Sequence, residues 1–176
     1  MYAGCNIDYK GDSVTPENFL AILRGDKASV TGGNGKVLGS TANSKVFINF
    51  ADHGAPGLIA FPSEYLYAND LNTTISYMFQ NKMYSEMVLY IEACESGSMF
   101  ENILANDINV YAVTAANADE SSWGTYCPPD DMVNGVEINS CLGDLFSVNW
   151  MEDAEKFDSS KETLDQQFLR VQNLTA

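Results

Sequence analysis

The apolar positions of this chain form three short continuous runs and several stretches of helical spacing, separated by turn residues. Val46–Phe50, Met87–Glu92 and Asn109–Ala115 are rich in β-branched and aromatic residues with few polar interruptions, the pattern of strands in a buried parallel sheet. Thr15-Pro-Glu-Asn18 predicts a helix start, with Thr15 as N-cap, Pro16 at the first helical position and an acid in the first turn. Phe19, Leu20 and Leu23 are its expected buried stripe, and Gly25 its stop. Leu71, Ile75, Met78 and Phe79 predict a crossover helix over Asn69–Tyr84, capped near Asn69 or Asp70. Another helix is expected over Ser98–Leu104. Leu142–Trp150 and an amphipathic helix over Ser160–Gln172, with Leu164, Phe168 and Val171 inward, close the chain. Gly54-Ala-Pro-Gly57 reads as a turn into a short strand, Leu58–Phe61, while 1–13, Ser29–Ser44 and Asp119–Ser140 read as loops. Strands alternating with helices at this spacing imply right-handed parallel crossovers and an α/β fold, here one domain over 1–176 without internal repeat.

Two of the strands stop abruptly at chemically active residues. The first runs Lys45-Val-Phe-Ile-Asn-Phe-Ala-Asp-His-Gly54 and ends in His53, the sole histidine. The second runs Met87-Val-Leu-Tyr-Ile-Glu-Ala-Cys-Glu-Ser-Gly-Ser98 and delivers Cys94, 41 positions later. In α/β sheets chemistry collects beyond the carboxyl ends of parallel strands, so the pair is a candidate thiol nucleophile with its imidazole base. Gly54 lets the backbone approach a substrate carbonyl, and its N–H is a candidate oxyanion donor beside the backbone amides of the Glu95-Ser-Gly-Ser98 turn. Against this stand blander readings, a buried structural thiol and an exposed histidine. Cysteine-protease signatures of the Gln-Ala-Cys-x-Gly type place a histidine about 50 residues upstream. Glu92-Ala-Cys-Glu-Ser-Gly97 differs at its first residue and in its glycine spacing.

Composition narrows the partners. A formal net charge of -15 opposes nucleic-acid backbones and anionic membranes. An apolar content of 45% fits a packed core rather than disorder. One histidine and four cysteines without a Cys-x-x-Cys pair give no zinc spacing, so neither metal nor cofactor is expected. Thr31-Gly-Gly-Asn-Gly-Lys36 lacks the Gly-Lys-Ser/Thr ending of a phosphate loop. Cys127 and Cys141 flank a turn-rich stretch and are a candidate disulfide. Asn72-Thr-Thr and Asn173-Leu-Thr are candidate glycosylation sites. No stretch reads as a signal peptide or membrane span, leaving either a cytosolic protein or a longer chain whose upstream part is absent.

The Asp52-His-Gly54 and Glu92-Ala-Cys-Glu-Ser-Gly-Ser-Met99 segments resemble the legumain family of asparaginyl endopeptidases. Thr114-Ala-Ala-Asn117, Glu120-Ser-Ser122, Leu142-Gly-Asp144 and Ser147-Val-Asn-Trp-Met-Glu-Asp153 extend the likeness over nearly the whole chain. The resemblance implies a caspase-like three-layer α/β sandwich with a mostly parallel sheet, and hydrolysis after asparagine, more weakly after aspartate. It implies His53 and Cys94 as the catalytic pair, Gly54 and Cys94 as oxyanion donors, and Glu92, Ser122 and Asp144 as lining of the specificity pocket. It also implies a lysosomal or vacuolar setting, protein or peptide substrates with accessible asparagine, and inhibitors of the cystatin type. Carboxylates suit an asparagine amide because they accept its N–H groups. Asp144 has a simpler reading as a helix-capping acid. In the family, the counterpart of Asp52 can cyclise to a succinimide.

Family members carry, before the region matching Tyr9, further strands, a pocket arginine and residues that orient the catalytic histidine; a prodomain follows the peptidase part. A sheet lacking those strands is expected to leave Val46–Phe50 with an unpaired edge, and loss of the arginine to raise the pocket carboxyls' pKa. Two alternatives to an active peptidase follow: a truncated, catalytically weak or inactive homologue that binds peptides or inhibitors, and a subunit like that of the GPI-anchor transamidase.

Overall fold

The structure is a computed structural model that describes residues 4–158 and 160–175; the first three residues of the expected 1–13 loop lie outside them. In chain order its elements are α1 (Pro16–Leu23), β1 (Lys45–Ala51), β2 (Gly54–Ala55), β3 (Leu58–Ala60), β4 (Tyr65–Tyr67), α2 (Ala68–Gln80), β5 (Glu86–Glu92) and β6 (Val110–Thr114). Then follow β7 (Gly124–Thr125), β8 (Met132–Val133), β9 (Val136–Glu137), β10 (Gly143–Asp144), α3 (Leu145–Lys156) and α4 (Leu164–Thr175). The central sheet has the order β1-β5-β6 and is parallel throughout. Its period-2 alternation sends successive β5 side chains to opposite faces. Met87, Leu89 and Ile91 join Ile75, Met78 and Leu23 in the larger core, under α1 and α2. Tyr90 joins Val113, Phe146 and Val171 in the second core, under α3 and α4. The result is helix, sheet, helix: three layers, consistent with the caspase-like fold.

Local sequence explains most of these boundaries. The Thr15 hydroxyl accepts the Asn18 N–H at 3.2 Å, capping α1 as its sequence predicts. Asn18 itself is buried where an apolar stripe was expected at Phe19 and Leu20, because its amide ties the loop, donating to the carbonyls of Ser13 and Thr31. On the second face the aromatic rings of Tyr90, Phe146 and Trp150 pack edge to face or tilted, with centroids 5.5–5.6 Å apart, geometries their quadrupoles favour. Asp153, buried on α3, accepts from Arg170 Nε at 2.7 Å and so clamps α4 against α3.

Several expectations need correction. β1 is not buried on both faces, with Val46 and Ile48 in the core and Phe47 55% exposed, although among the described residues it is the edge strand that the sequence leads one to expect. Helix α2 starts at Ala68, directly out of β4, with Tyr67 at the N-cap position and no side-chain cap, rather than at Asn69 or Asp70. Strand β4 is only three residues long, too short to stand out by periodicity. Ser98–Leu104 is not a helix. A short 3-10 turn over Ser96–Met99 is followed by turns through Asn102, whose φ of 62° breaks any helical continuation. Leu164 is exposed, leaving Phe168 and Val171 as the inward positions of α4. The 119–140 loop contains β7 and the small hairpin β8–β9.

Candidate active site

The site grows from the register of β1 on β5. Ala51 lies beside Glu92, so the chains leave the sheet side by side, one into Asp52–His53 and the other into Ala93–Cys94. Asp52 N–H extends the pairing by donating to the Glu92 carbonyl at 3.1 Å. His53 is exposed, Cys94 half-buried, and among the described residues the imidazole makes no hydrogen bond. Among the described residues the thiol's hydrogen-bond partners are both on Ser122, with Sγ 3.8 Å from the Ser122 carbonyl oxygen and 3.9 Å from its hydroxyl.

Two tight backbone features fix this edge. After His53 the chain turns into the β2–β3 hairpin, where Ala60 N–H donates to the His53 carbonyl at 2.8 Å. Opposed residues in an antiparallel pair alternate between bonded and non-bonded positions. The neighbouring Gly54–Ile59 pair is therefore the non-bonded one, and the Gly54 N–H points out of the ladder. A Cβ at Gly54 would collide with the Cys94 carbonyl oxygen and lie 2.9 Å from Ala93 Cβ, so only glycine allows the two strand ends to close together. After Cys94 the chain reverses through Glu95, a non-glycine residue at φ 49°, a conformation that costs about 1–2 kcal/mol. Glu95 N–H donates to the Glu120 carbonyl at 2.8 Å, and the Glu95 carbonyl accepts the Ser98 N–H and hydroxyl. Ser98 Oγ in turn accepts Gly57 N–H at 2.8 Å, joining the cysteine turn to the histidine hairpin. No acceptor holds the Cys94 N–H among the described residues, leaving it and the Gly54 N–H unspent at the strand ends.

Beside the thiol lies a carboxylate pocket. Glu92 is 2% exposed and shares the Tyr90 face of β5. Its Oε2 accepts Ser147 N–H at 2.7 Å, at the start of α3, while Oε1 is buried without a partner. Burial pushes the Glu92 carboxyl above its ordinary value; the Ser147 N–H and hydroxyl pull it back, the Asp144 charge adds to the rise, and the Ser122 hydroxyl opposes it. Asp144 occupies the N-cap position of α3 but makes no capping hydrogen bond, and among the described residues its carboxylate has no hydrogen-bond partner. An open cavity of about 790 Å³ extends from Glu92, Ser122 and Trp123 across Phe146 to Val171. His53, Cys94 and Asp144 do not line it; Ser122, which lines it, also contacts the Cys94 thiol.

The structure thus brings His53, Gly54, Cys94, Glu92, Ser122 and Asp144 to one end of the sheet. Cys127 and Cys141 are disulfide-bonded, and Cys5 and Cys94 are free. Asn72 is a correction: it is buried, and its Nδ2 donates to the carbonyls of Ala68 and Met99 at 2.8 and 2.7 Å. Both amide protons serve the core, so this sequon has no room for a glycan in the folded chain. Asn173 is exposed on α4. Sequence reasoning missed Ser98 and Ser147. Each acts through a backbone or hydroxyl contact that only three-dimensional packing creates.

The Peptidase C13 family description matches residues 1–176. The chain is 52% identical over 169 residues, 96% of its length, to the vacuolar-processing enzyme delta-isozyme of Arabidopsis thaliana. It is 47% identical over 177 residues to a vacuolar-processing enzyme of Glycine max and 48% identical over 177 residues to one of Phaseolus vulgaris, each alignment covering 100% of the chain. It spans 36% of the length of these relatives.

Proposed function

Because the chain belongs to the peptidase C13 family, we propose that it is the core of a cysteine endopeptidase that cleaves after asparagine and, more weakly, after aspartate. The observation that carries the proposal is the closure of the two strand ends at Gly54, which sets an unspent N–H beside the Cys94 turn and its thiol. Cys94 Sγ attacks the scissile carbonyl, and the oxyanion forms between the N–H groups of Gly54 and Cys94. Exposed His53 gives a proton to the leaving amine as the thioester forms; water then releases the acid and regenerates the thiol.

Glu92, Ser122 and Asp144 receive the asparagine side chain, the carboxyl oxygens accepting its N–H₂. The unpartnered Glu92 Oε1 is the acceptor best placed for that role, since a buried oxygen without a donor gains a full hydrogen bond when one arrives. Two carboxyls also repel an ionised aspartate, so cleavage after aspartate is confined to acid, where the substrate is neutral. The names of the relatives point to a vacuolar setting, and we place the chain in the vacuole or lysosome with protein or peptide substrates and cystatin-type inhibitors as partners.

The test is covalent labelling of Cys94 by a peptide electrophile ending in asparagine at mildly acidic pH, read by intact mass. An adduct that requires both Cys94 and asparagine, absent with Cys94→Ser and with a lysine-ended probe, is expected. A folded chain that forms no adduct refutes the catalytic reading and leaves a peptide-binding homologue.

A further inference from the structure

The excursion between β7 and β10 is built unlike the rest of the chain. It leaves just after Ser122 and Trp123, which line the pocket, and returns at Asp144, which pairs with Gly124 and precedes the lining residue Leu145. The Cys127–Cys141 bridge closes it at the base. Inside the bridge Asp131 is the only buried residue, its Oδ2 accepting the N–H groups of Asn139 and Ser140 at 2.5 and 3.3 Å. The hairpin itself has two residue pairs, and Met132, Val133, Val136 and Glu137 are all exposed. Its tip is Asn134 at φ 51° and Gly135 at φ 79°, positive at both positions as a two-residue hairpin turn requires. Unzipping it breaks no buried apolar packing, which makes it a segment that opens locally at low cost.

We propose that the Asn134–Gly135 bond is a cleavage site for another copy of this chain, and that the two pieces remain joined through Cys127–Cys141. The inference rests on the asparaginyl peptidase reading. The amides of Asn34, Asn81, Asn109 and Asn173 donate to Asp8, Tyr77, Ser85 and Leu169, whereas Asn43, Asn69, Asn102, Asn106 and Asn139 share an unbonded amide with Asn134 among the described residues, so its place at the tip of an unpacked hairpin is what singles Asn134 out. The Asn134 side chain makes no hydrogen bond among the described residues and is free to enter a pocket. The Cys94 thiolate of the attacking copy forms a thioester at the Asn134 carbonyl, and Gly135 leaves as an amine carrying the proton from His53. Water hydrolyses the thioester, leaving a new carboxylate on Asn134. Ser122 lies upstream of the cut and Asp144 downstream, so the nick releases the hairpin while β7–β10 and the disulfide keep the rim assembled.

The experiment mixes full-length wild-type chain with the Cys94→Ala chain at mildly acidic pH and follows intact mass before and after reduction. A small asparagine-containing peptide is assayed in parallel. The Cys94→Ala chain is expected to gain one water while unreduced, and to separate on reduction into a piece ending at Asn134 and one beginning at Gly135. Asn134→Gln should abolish that cut while the variant turns over the small peptide at the wild-type rate, and Asn139→Gln should leave the cut in place. A chain that hydrolyses the peptide but is uncut at Asn134, or is cut elsewhere, overturns this inference and leaves the asparaginyl reading standing. A chain that cleaves neither overturns both.

Discussion

Gly54→Ala is the sharpest perturbation of the site, because one methyl group tests whether the strand ends must touch. The added Cβ would overlap the Cys94 carbonyl oxygen and sit 2.9 Å from Ala93 Cβ. Ordinary contact lies near ~3.5 Å, so the two segments must part by about 0.6 Å at Ala93 and by more at Cys94. Neither neighbour can rotate away, one being backbone and the other a Cβ fixed to it. Overpacking of this kind costs about 1–3 kcal/mol, and for a domain of this size each kcal/mol lowers Tm by roughly 2–4 °C. The same displacement moves the Cys94 thiol and N–H together with the Gly54 N–H, and losing oxyanion alignment costs on the order of 10²–10³ in rate. The assay pairs a thermal melt with hydrolysis of an asparaginyl peptide. Gly39→Ala is the control: its Cβ would meet no atom within 4 Å, so it should stay within about 0.5 kcal/mol of wild type. A Gly54→Ala protein with unchanged Tm and a rate within about threefold of wild type would show that the closure is not required.

Glu92→Gln should alter the pH dependence of stability. Burial raises the folded-state pKa, so the folded chain holds more protons than the unfolded one between the ordinary glutamate value of 4.5 and the raised value. Wild type therefore gains stability as pH falls through that window, and the variant should lose that slope; identical slopes in urea titrations would contradict the assignment. Thr15→Ala removes the acceptor of the Asn18 N–H and should cost about 1 kcal/mol, read from the denaturant midpoint; no change would mean that the loop bonds of Asn18 hold α1 unaided. The outer edge of β1, unpaired among the described residues, should make the chain self-associate with rising concentration. Asn49→Lys, an exposed charge on that strand, should suppress it. Sedimentation showing a monomeric wild type at every concentration would refute the edge argument.

The order of residues alone is enough to place the elements whose signal is local and long. Seven-residue β5 and the capped start of α1 follow from side-chain periodicity and from a hydroxyl three residues before an orphan N–H. It also singled out His53 and Cys94, since a lone imidazole and a thiol at the ends of two apolar runs stand out without coordinates. Whatever depends on contacts between distant segments emerges with the fold. Asn72 matches a glycosylation sequon, yet its amide is spent on Met99, 27 residues away. Asp144 has the look of a capping acid, yet its side chain makes no cap. Glu92 lies in an apolar run, and its pKa is raised because α3 covers it, the Ser147 N–H and the nearby Ser147 and Ser122 hydroxyls offsetting only part of the cost of burial. Periodicity fixes which way a side chain points relative to its neighbours in the chain. What it meets there is set by the register of β1 on β5 and by the layer packed above, and those are properties of the assembled fold.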